Sequence, residues 1–309
     1  MNASLNLVVK KRVSRASPTR GAGRVYLPKE WIDKDVVIID ASQYEKLYKE
    51  LTILRVLKEL FEGFLNCNTV GKKMFSFVSE TWNPVTGCFH GCSYCWARRL
   101  AETKLKDKPR YRSGFKPSFN REEFNTTFKE GSIVFVSDMG DLFGNFIPSS
   151  WIKEVLNYVR KFPKTHFLFL TKNPERYPEF INEMPSNAIL GATVETDDDR
   201  LYVESRISGA PLPSFRFKAM RELHWSKKFI SIEPILDFSL ESFVEQLKEI
   251  APIMVYVGYD NYDNKLPEPP LKKTLKLIDM LSTFTLVVKK TIRPAYYEGL
   301  MRFGTEDKR

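Results

Sequence analysis

The sequence predicts an α/β chain: repeated strand–helix units that build a parallel sheet, preceded by a small β module and a linking helix. Three observations predict it. From residue 74 onward, short apolar runs at 133–136, 167–170 and 229–232 alternate with segments of helical periodicity. Several of these runs end directly in an acid, a threonine or a lysine. Repeated βα folds keep their sites at that end of their strands, whether the sheet is a full barrel, a partial barrel or open and doubly wound. Before residue 41 the composition is different, basic and rich in Ser, Pro and Gly.

The 309 residues are 43% hydrophobic and 28% charged, an ordinary globular composition. They suffice for one large domain, or for a medium domain plus a small one. The apolar runs are far too short to span a bilayer, and the N-terminus lacks the apolar core of a secretory signal. The expectation is a cytoplasmic protein without a membrane partner, in which cysteines are reduced thiols or metal ligands. A formal net charge of +10 favours a polyanionic partner, above all nucleic acid. A surface rich in Lys and Glu is also a thermophile trait.

In chain order, residues 5–9 alternate loosely as a strand would, and the basic run Lys10-Lys11-Arg12 follows. A Ser/Pro/Gly-rich stretch ends at Gly23, residues 24–28 are strand-like, and 35–40 form another strand. So small a core is not stable alone, so it must dock or oligomerise. Residues 42–64 form a helix with Tyr44, Leu47, Leu51, Leu54, Leu57, Leu60 and Phe61 on one face and Ser42 as its cap. The predicted organisation is a β module over 1–41, a linker helix over 42–66 and the main domain over 67–309. In that domain strands are expected at 75–78, 133–136, 166–170, 189–194, 229–232, 253–257 and 285–288. Helices are expected at 95–106, 149–162, from 174, over 199–224, at 240–250 and up to 281. The rim so defined carries Asp138, Asp141, Thr171, Lys172, Glu195, Glu233 and Asp260.

The first strand leads into Thr81-Trp82-Asn83-Pro84-Val85-Thr86-Gly87-Cys88-Phe89-His90-Gly91-Cys92-Ser93-Tyr94-Cys95-Trp96. Cys88, Cys92 and Cys95 are spaced C-x3-C-x2-C, while Cys67 stands alone before the domain. Clustered thiols in a reducing compartment point to metal or redox chemistry. With His90 the three cysteines have the ligand types of a zinc site. Cys92 and Cys95 alone form a C-x2-C redox pair. As a third alternative, three thiolates hold an iron–sulfur cluster with one iron left open.

C-x3-C-x-aromatic-C after the first strand of a βα fold resembles the signature of the radical S-adenosylmethionine superfamily. Further ordered motifs resemble a phage-associated, radical-SAM-like family of largely unassigned function. They are Asp138-Met139-Gly140-Asp141-Leu142-Phe143, Leu170-Thr171-Lys172-Asn173-Pro174-Glu175-Arg176, Gly191-Ala192-Thr193-Val194-Glu195 and Ser231-Ile232-Glu233-Pro234. The resemblance covers about residues 75–260 and implies a partial (βα) barrel of radical-SAM type. It also implies a 4Fe–4S cluster on Cys88, Cys92 and Cys95, with S-adenosylmethionine cleaved to a 5′-deoxyadenosyl radical. Tyr94 would lie near the adenine. Asp138 stands where the superfamily has a Gly-Gly-Glu-like motif, and Thr171, Glu195 and Glu233 would contact ribose or methionine. No catalytic residue is assigned, and the electron donor is unknown. The substrate expected is nucleic acid, DNA rather than RNA, in base modification or lesion repair. Trp96, Tyr111 and Phe115, interleaved with Arg98, Arg99, Arg110, Arg112 and Lys116, are candidates for stacking and phosphate contacts. A rival class is an iron–sulfur nucleic-acid-binding protein with a structural or regulatory cluster and no catalysis.

Gly23-Arg24-Val25-Tyr26-Leu27-Pro28-Lys29-Glu30-Trp31 loosely resembles the AbrB-like swapped-hairpin modules. That resemblance implies a homodimer through this module and DNA contacts from Lys10, Lys11, Arg12, Arg15, Arg20 and Arg24. The alternative is a small structural appendage.

Overall fold

The computed structural model describes residues 9–12, 35–38, 75 and 77–298. The helix expected at 42–64, the strand-like segment 24–28, Cys67, Arg15, Arg20 and Arg24 lie outside the described residues. The chain divides into two units, Met1–Arg55 and Val56–Arg309.

In the first unit, β1 (Val9–Arg12) pairs antiparallel with β2 (Asp35–Ile38), Val9 opposite Ile38 and Arg12 opposite Asp35. Lys10, Lys11 and Arg12 therefore lie within a strand, where the sequence predicts one ending just before them. Backbone pairing with β2 fixes the extended conformation whatever the side chains.

The second unit is built on a seven-stranded sheet in the order β11-β10-β9-β8-β7-β6-β3, with every neighbouring pair parallel. Its strands are β3 (Glu80–Trp82), β6 (Ile133–Val136), β7 (His166–Thr171), β8 (Ala188–Thr193), β9 (Lys228–Ile232), β10 (Met254–Val257) and β11 (Leu286–Lys289). A short ladder of β4 (Val85–Thr86) and β5 (Ser118–Phe119) lies beyond β3. The crossover helices are α1 (Trp96–Glu102), α2 (Ser149–Val159), α3 (Asp199–Glu204), α4 (Pro213–Glu222), α5 (Leu240–Ile250) and α6 (Leu271–Leu281). All residues of β6, β8, β9 and β10 are buried, as parallel strands covered on both faces must be. One large apolar core packs their outer faces against α2, α4, α5 and α6.

The sheet is strongly curved. Phe135 on β6 and Tyr256 on β10 are four strand spacings apart, about 19 Å across a flat sheet. Yet the Phe75 ring lies 5.4 Å from Phe135, 4.7 Å from Tyr256 and 5.3 Å from Phe229 on β9. Strands so placed must curl around that ring. Among the described residues β3 and β11 do not pair, so the result is a partial (βα) barrel. Phe75 and Phe77 are both buried and stack on each other inside it. The sequence predicts a strand at 75–78; these residues instead floor the barrel, and the strand begins at Glu80. An apolar run can be buried as a plug as well as in a sheet, and pattern does not separate the two.

Other elements shift for local reasons. The helix expected at 95–106 spans Trp96–Glu102, with Cys95 as its N-cap. The helix expected from 174 is a 3-10 helix, Pro174–Glu183, with Pro178 inside it. Proline removes a backbone donor and blocks a regular α-helix. The helical segment expected over 199–224 is two helices separated by Gly209-Ala210-Pro211. No helix among the described residues is long and apolar enough to cross a membrane.

Phe75→Ala empties the centre of the barrel floor. The expected loss is about 3–5 kcal/mol, read as a lowered urea midpoint with unchanged slope.

Candidate functional site

The cysteine loop is set by backbone geometry before any cysteine acts. Gly87 has φ +83°, and a Cβ on it would come within 2.1 Å of the Lys116 carbonyl oxygen, so only glycine fits. Its N–H donates to the Met139 carbonyl at 2.9 Å, and the next N–H, of Cys88, donates to Phe115 at 3.1 Å. The segment between α3 and α4 holds the loop from the other side. Gly209 N–H donates to the His90 carbonyl at 2.6 Å, and Ser93 N–H to Ile207 at 2.9 Å.

Each sulfur has a polar neighbour, and two of the three accept a backbone N–H. Cys88 Sγ accepts from His90 N–H at 3.4 Å, Cys95 Sγ from Arg98 N–H at 3.3 Å, and Cys92 Sγ lies 3.1 Å from Ser208 Oγ. Burial pushes the thiols of Cys88 and Cys95 up, so thiolates there require a compensating positive charge. His90 is tied to Asp141 through one ring nitrogen. It is buried, with Nε2 2.9 Å from Asp141 Oδ2. Among the described residues, no three His, Cys, Asp or Glu side chains converge tightly enough for a single metal ion.

The cysteines line a cavity of about 970 Å³ at the carboxyl ends of the strands. Asp138, Asp141, Thr171, Lys172, Glu233 and Asp260 share its wall with Tyr94 and Trp96. Of the expected rim, Glu195 stands behind the wall, fully buried.

Two buried carboxylates organise this rim. Asp141 accepts from His90, from Thr171 Oγ1 at 2.6 Å, from Lys172 N–H at 2.9 Å and from Phe143 N–H at 3.1 Å. Burial alone would raise its pKa, but these bonds hold it below the usual range. Thr171 also accepts from Asn173 N–H at 2.9 Å, so its hydroxyl serves the framework. Glu195 binds Lys172 Nζ at 2.5 Å through Oε1, which also accepts from the Tyr94 hydroxyl, and Arg216 at 2.6 Å through Oε2. Arg216 is fully buried too, and also donates to Tyr202, Thr193 and Pro211. Burial raises the Glu195 carboxyl, but Arg216 and then Lys172 more than reverse that, bringing it from 4.5 to about 2.

Asp138 is placed by Asn83, whose Nδ2 donates to Oδ1 at 2.6 Å while its Oδ1 accepts from Met139 N–H at 3.0 Å. Burial raises the Asp138 carboxyl. Tyr111 and Phe115 are buried against α1 and Met139, so neither is a surface platform as the sequence suggests. Exposed aromatics among the described residues include Phe89, next to the first cysteine, and Tyr262, under the Arg99 guanidinium at 4.8 Å. Sequence reasoning missed Arg216, Ser208 and Lys290. Each meets its partner across many residues of chain, and no local pattern marks that.

A family model described as "Protein of unknown function (DUF5131)" matches residues 72–255. The chain belongs to this family. No curated protein matches it. Among solved structures it is similar to spore photoproduct lyase complexed with dinucleoside spore photoproduct, at 13% identity and TM-score 0.43. That match covers 65% of this chain and 60% of the lyase, so the chain spans less than two thirds of that relative. A lyase variant with bound AdoMet matches at 12% identity and TM-score 0.45, over 74% of this chain and 79% of that one. Streptococcus suis SuiB bound to precursor peptide SuiA matches at 14% and 0.44, over 87% and 58%.

The ionised Glu195 stabilises the fold fully above the ordinary carboxyl value, and that contribution is lost as pH falls from about 4.5 through about 2. Glu195→Gln should flatten the acid limb of a stability–pH curve in that window. Arg216→Met leaves the carboxylate short of a partner and should cost about 3–5 kcal/mol, with the double variant costing less than the two singles together. Denaturant titration checks both.

Proposed function

We propose that this cavity holds a 4Fe–4S cluster and S-adenosylmethionine, and that the protein is a radical S-adenosylmethionine enzyme acting on nucleic acid. One observation carries the reading: three thiols, each with a polar neighbour, line a cavity of about 970 Å³ at the carboxyl ends of parallel strands. The donor set fits the cluster. Its sulfurs have the hydrogen-bond partners that tune such centres, and the positive charge of bound iron is what two buried thiols need in order to ionise. Cys88, Cys92 and Cys95 would hold it. When bound, these cofactors supply reductive cleavage of S-adenosylmethionine and hydrogen abstraction by the 5′-deoxyadenosyl radical.

The chain's own residues position and exclude. Asp138, fixed by Asn83, is the carboxylate offered to the cofactor's amino group, and the Tyr94 ring is its adenine neighbour. Thr171 and Glu195 act through others: Thr171 steadies Asp141, and Glu195 locks Tyr94 and Lys172 in place. Asp141 ties the cysteine loop, through His90, to the ends of β6 and β7.

Nucleic acid is supported by the charge of +10 and by the segment after α1. There Lys104, Lys106, Lys108, Arg112 and Lys116 are exposed and have no ion-pair partner among the described residues. Phe89 and Tyr262 add exposed rings suited to stacking. DNA rather than RNA, base modification or lesion repair, a cytoplasmic setting and a separate electron donor belong to the same proposal. So does an N-terminal module that pairs two chains and contributes Lys10, Lys11, Arg12, Arg15 and Arg24 to DNA binding.

Anaerobic reconstitution with iron and sulfide tests the chemistry. The protein should turn brown, with absorbance near ~400 nm, and release 5′-deoxyadenosine on addition of dithionite and S-adenosylmethionine. Replacing any one of the three cysteines by Ala should abolish the release. An intact cluster that yields no 5′-deoxyadenosine would favour a nucleic-acid-binding protein with a structural or regulatory cluster.

Deleting residues 1–41 should lower DNA affinity and reduce its salt slope by about 0.9 for each phosphate that the module neutralises. It should also halve the mass seen by light scattering. Unchanged binding and mass would remove both roles from the module.

A further inference from the structure

The far end of the strand order carries a charged pair, Glu233 and Lys290. Glu233 follows β9 and Lys290 follows β11, with Gly258 at the end of β10 between them. Two strand spacings, about 9.5 Å, separate β9 from β11. Even so, Glu233 Oε1 lies 2.7 Å from Lys290 Nζ. The glycine makes room: a Cβ on Gly258 would sit 3.2 Å from Lys290 Cβ and 3.6 Å from Glu233 Cγ.

The pair is not self-sufficient. The Glu233 side chain is 9% exposed, and its second oxygen, Oε2, is buried with no close hydrogen-bond partner among the described residues. A buried acceptor without a donor is costly, and in a native protein a ligand, an ion or a water completes it. Burial raises the Glu233 carboxyl, with Lys290 and, more weakly, the nearby Asn261 side chain opposing the rise. Lys290 Nζ also stands 5.8 Å over the Phe75 ring, so the pair lies above the aromatic floor of the barrel. Glu233, Lys290, Tyr259, Asp260 and Asn261 all line the cavity that the cysteines line. Asn261 is held by Thr291, whose hydroxyl donates to its Oδ1 at 2.5 Å.

We propose that Glu233 and Lys290 read the substrate. Glu233 Oε2 accepts from an amino or ring N–H of a nucleobase, and Lys290 Nζ donates to the neighbouring carbonyl or ring nitrogen. The inference rests on the nucleic-acid reading and moves Glu233 from the cofactor, where the sequence places it, to the substrate. An acceptor beside a donor above an apolar floor fits a flat heterocycle with donor and acceptor on one edge. A phosphate does not fit, because the carboxylate repels it. A single trans peptide group fits poorly, because its N–H and C=O point in opposite directions. A base in a duplex reaches such a depth only when turned out of the stack.

The test uses full-length reconstituted protein, S-adenosylmethionine, and short single-stranded oligonucleotides of each base beside abasic oligonucleotides of equal length. At least one base-bearing strand should bind wild type about tenfold more tightly than its abasic counterpart by fluorescence anisotropy. Glu233→Gln, Lys290→Met and Gly258→Val should erase most of that difference. Abasic binding, and S-adenosylmethionine affinity by calorimetry, should stay within about twofold, which also shows that the variants are folded. A tenfold loss of S-adenosylmethionine affinity in Glu233→Gln would return Glu233 to the cofactor and overturn the inference alone. Equal binding of base-bearing and abasic strands by wild type would overturn base reading but leave the nucleic-acid reading standing. No oligonucleotide binding at all, or displacement only by a peptide, would overturn both.

Discussion

The site depends on one carboxylate that has no access to water. Glu195 sits behind the cavity wall with both oxygens committed, one to Lys172 and Tyr94 and the other to Arg216. A lone ion there would be prohibitive, so the charge is tolerable only because two cations and a hydroxyl close around it. Arg216 in turn spends its remaining donors on Thr193, Pro211 and Tyr202. In this way the charge ties the end of β8, the segment before α4 and the cysteine loop to one another. Tyr94 and Lys172, which reach the cavity, are held from behind by groups that do not. The arrangement gives the rim its rigidity, and a site that must hold reactants in one geometry gains from that.

Asp141 does the same for the opposite flank with neutral donors. It binds donors from three separate loops, none of them a lysine or arginine side chain. The two carboxylates meet at Lys172, whose backbone N–H serves Asp141 and whose side chain serves Glu195. One residue after β7 thus links both halves of the framework.

Much of this was legible in the sequence, because parallel strands buried on both faces appear as uninterrupted apolar runs. Ile133–Val136 and Leu240–Ile250 lie where the pattern puts them. The polar residues after the strands do gather at one rim, and the cysteine spacing marks the loop itself. What escaped depends on residues far apart in the chain meeting in the fold. Phe75 and Phe77 have a strand's composition and a plug's position. Tyr111 and Phe115 sit among arginines and lysines yet face inward under α1. Nothing in the neighbourhood of Arg216 or Lys290 distinguishes them from other basic residues until the fold brings Glu195 and Glu233 beside them.

The aromatic floor has a consequence for traffic. Phe75, Phe77, Phe135, Phe229 and Tyr256 pack together below the chamber, so among the described residues the rim is its open side. Two guests of unequal size cannot pass each other in such a vestibule. If the proposed cofactor and a polymer share it, the smaller and deeper one would be seated first and would leave last. Binding would then be ordered by the shape of the barrel.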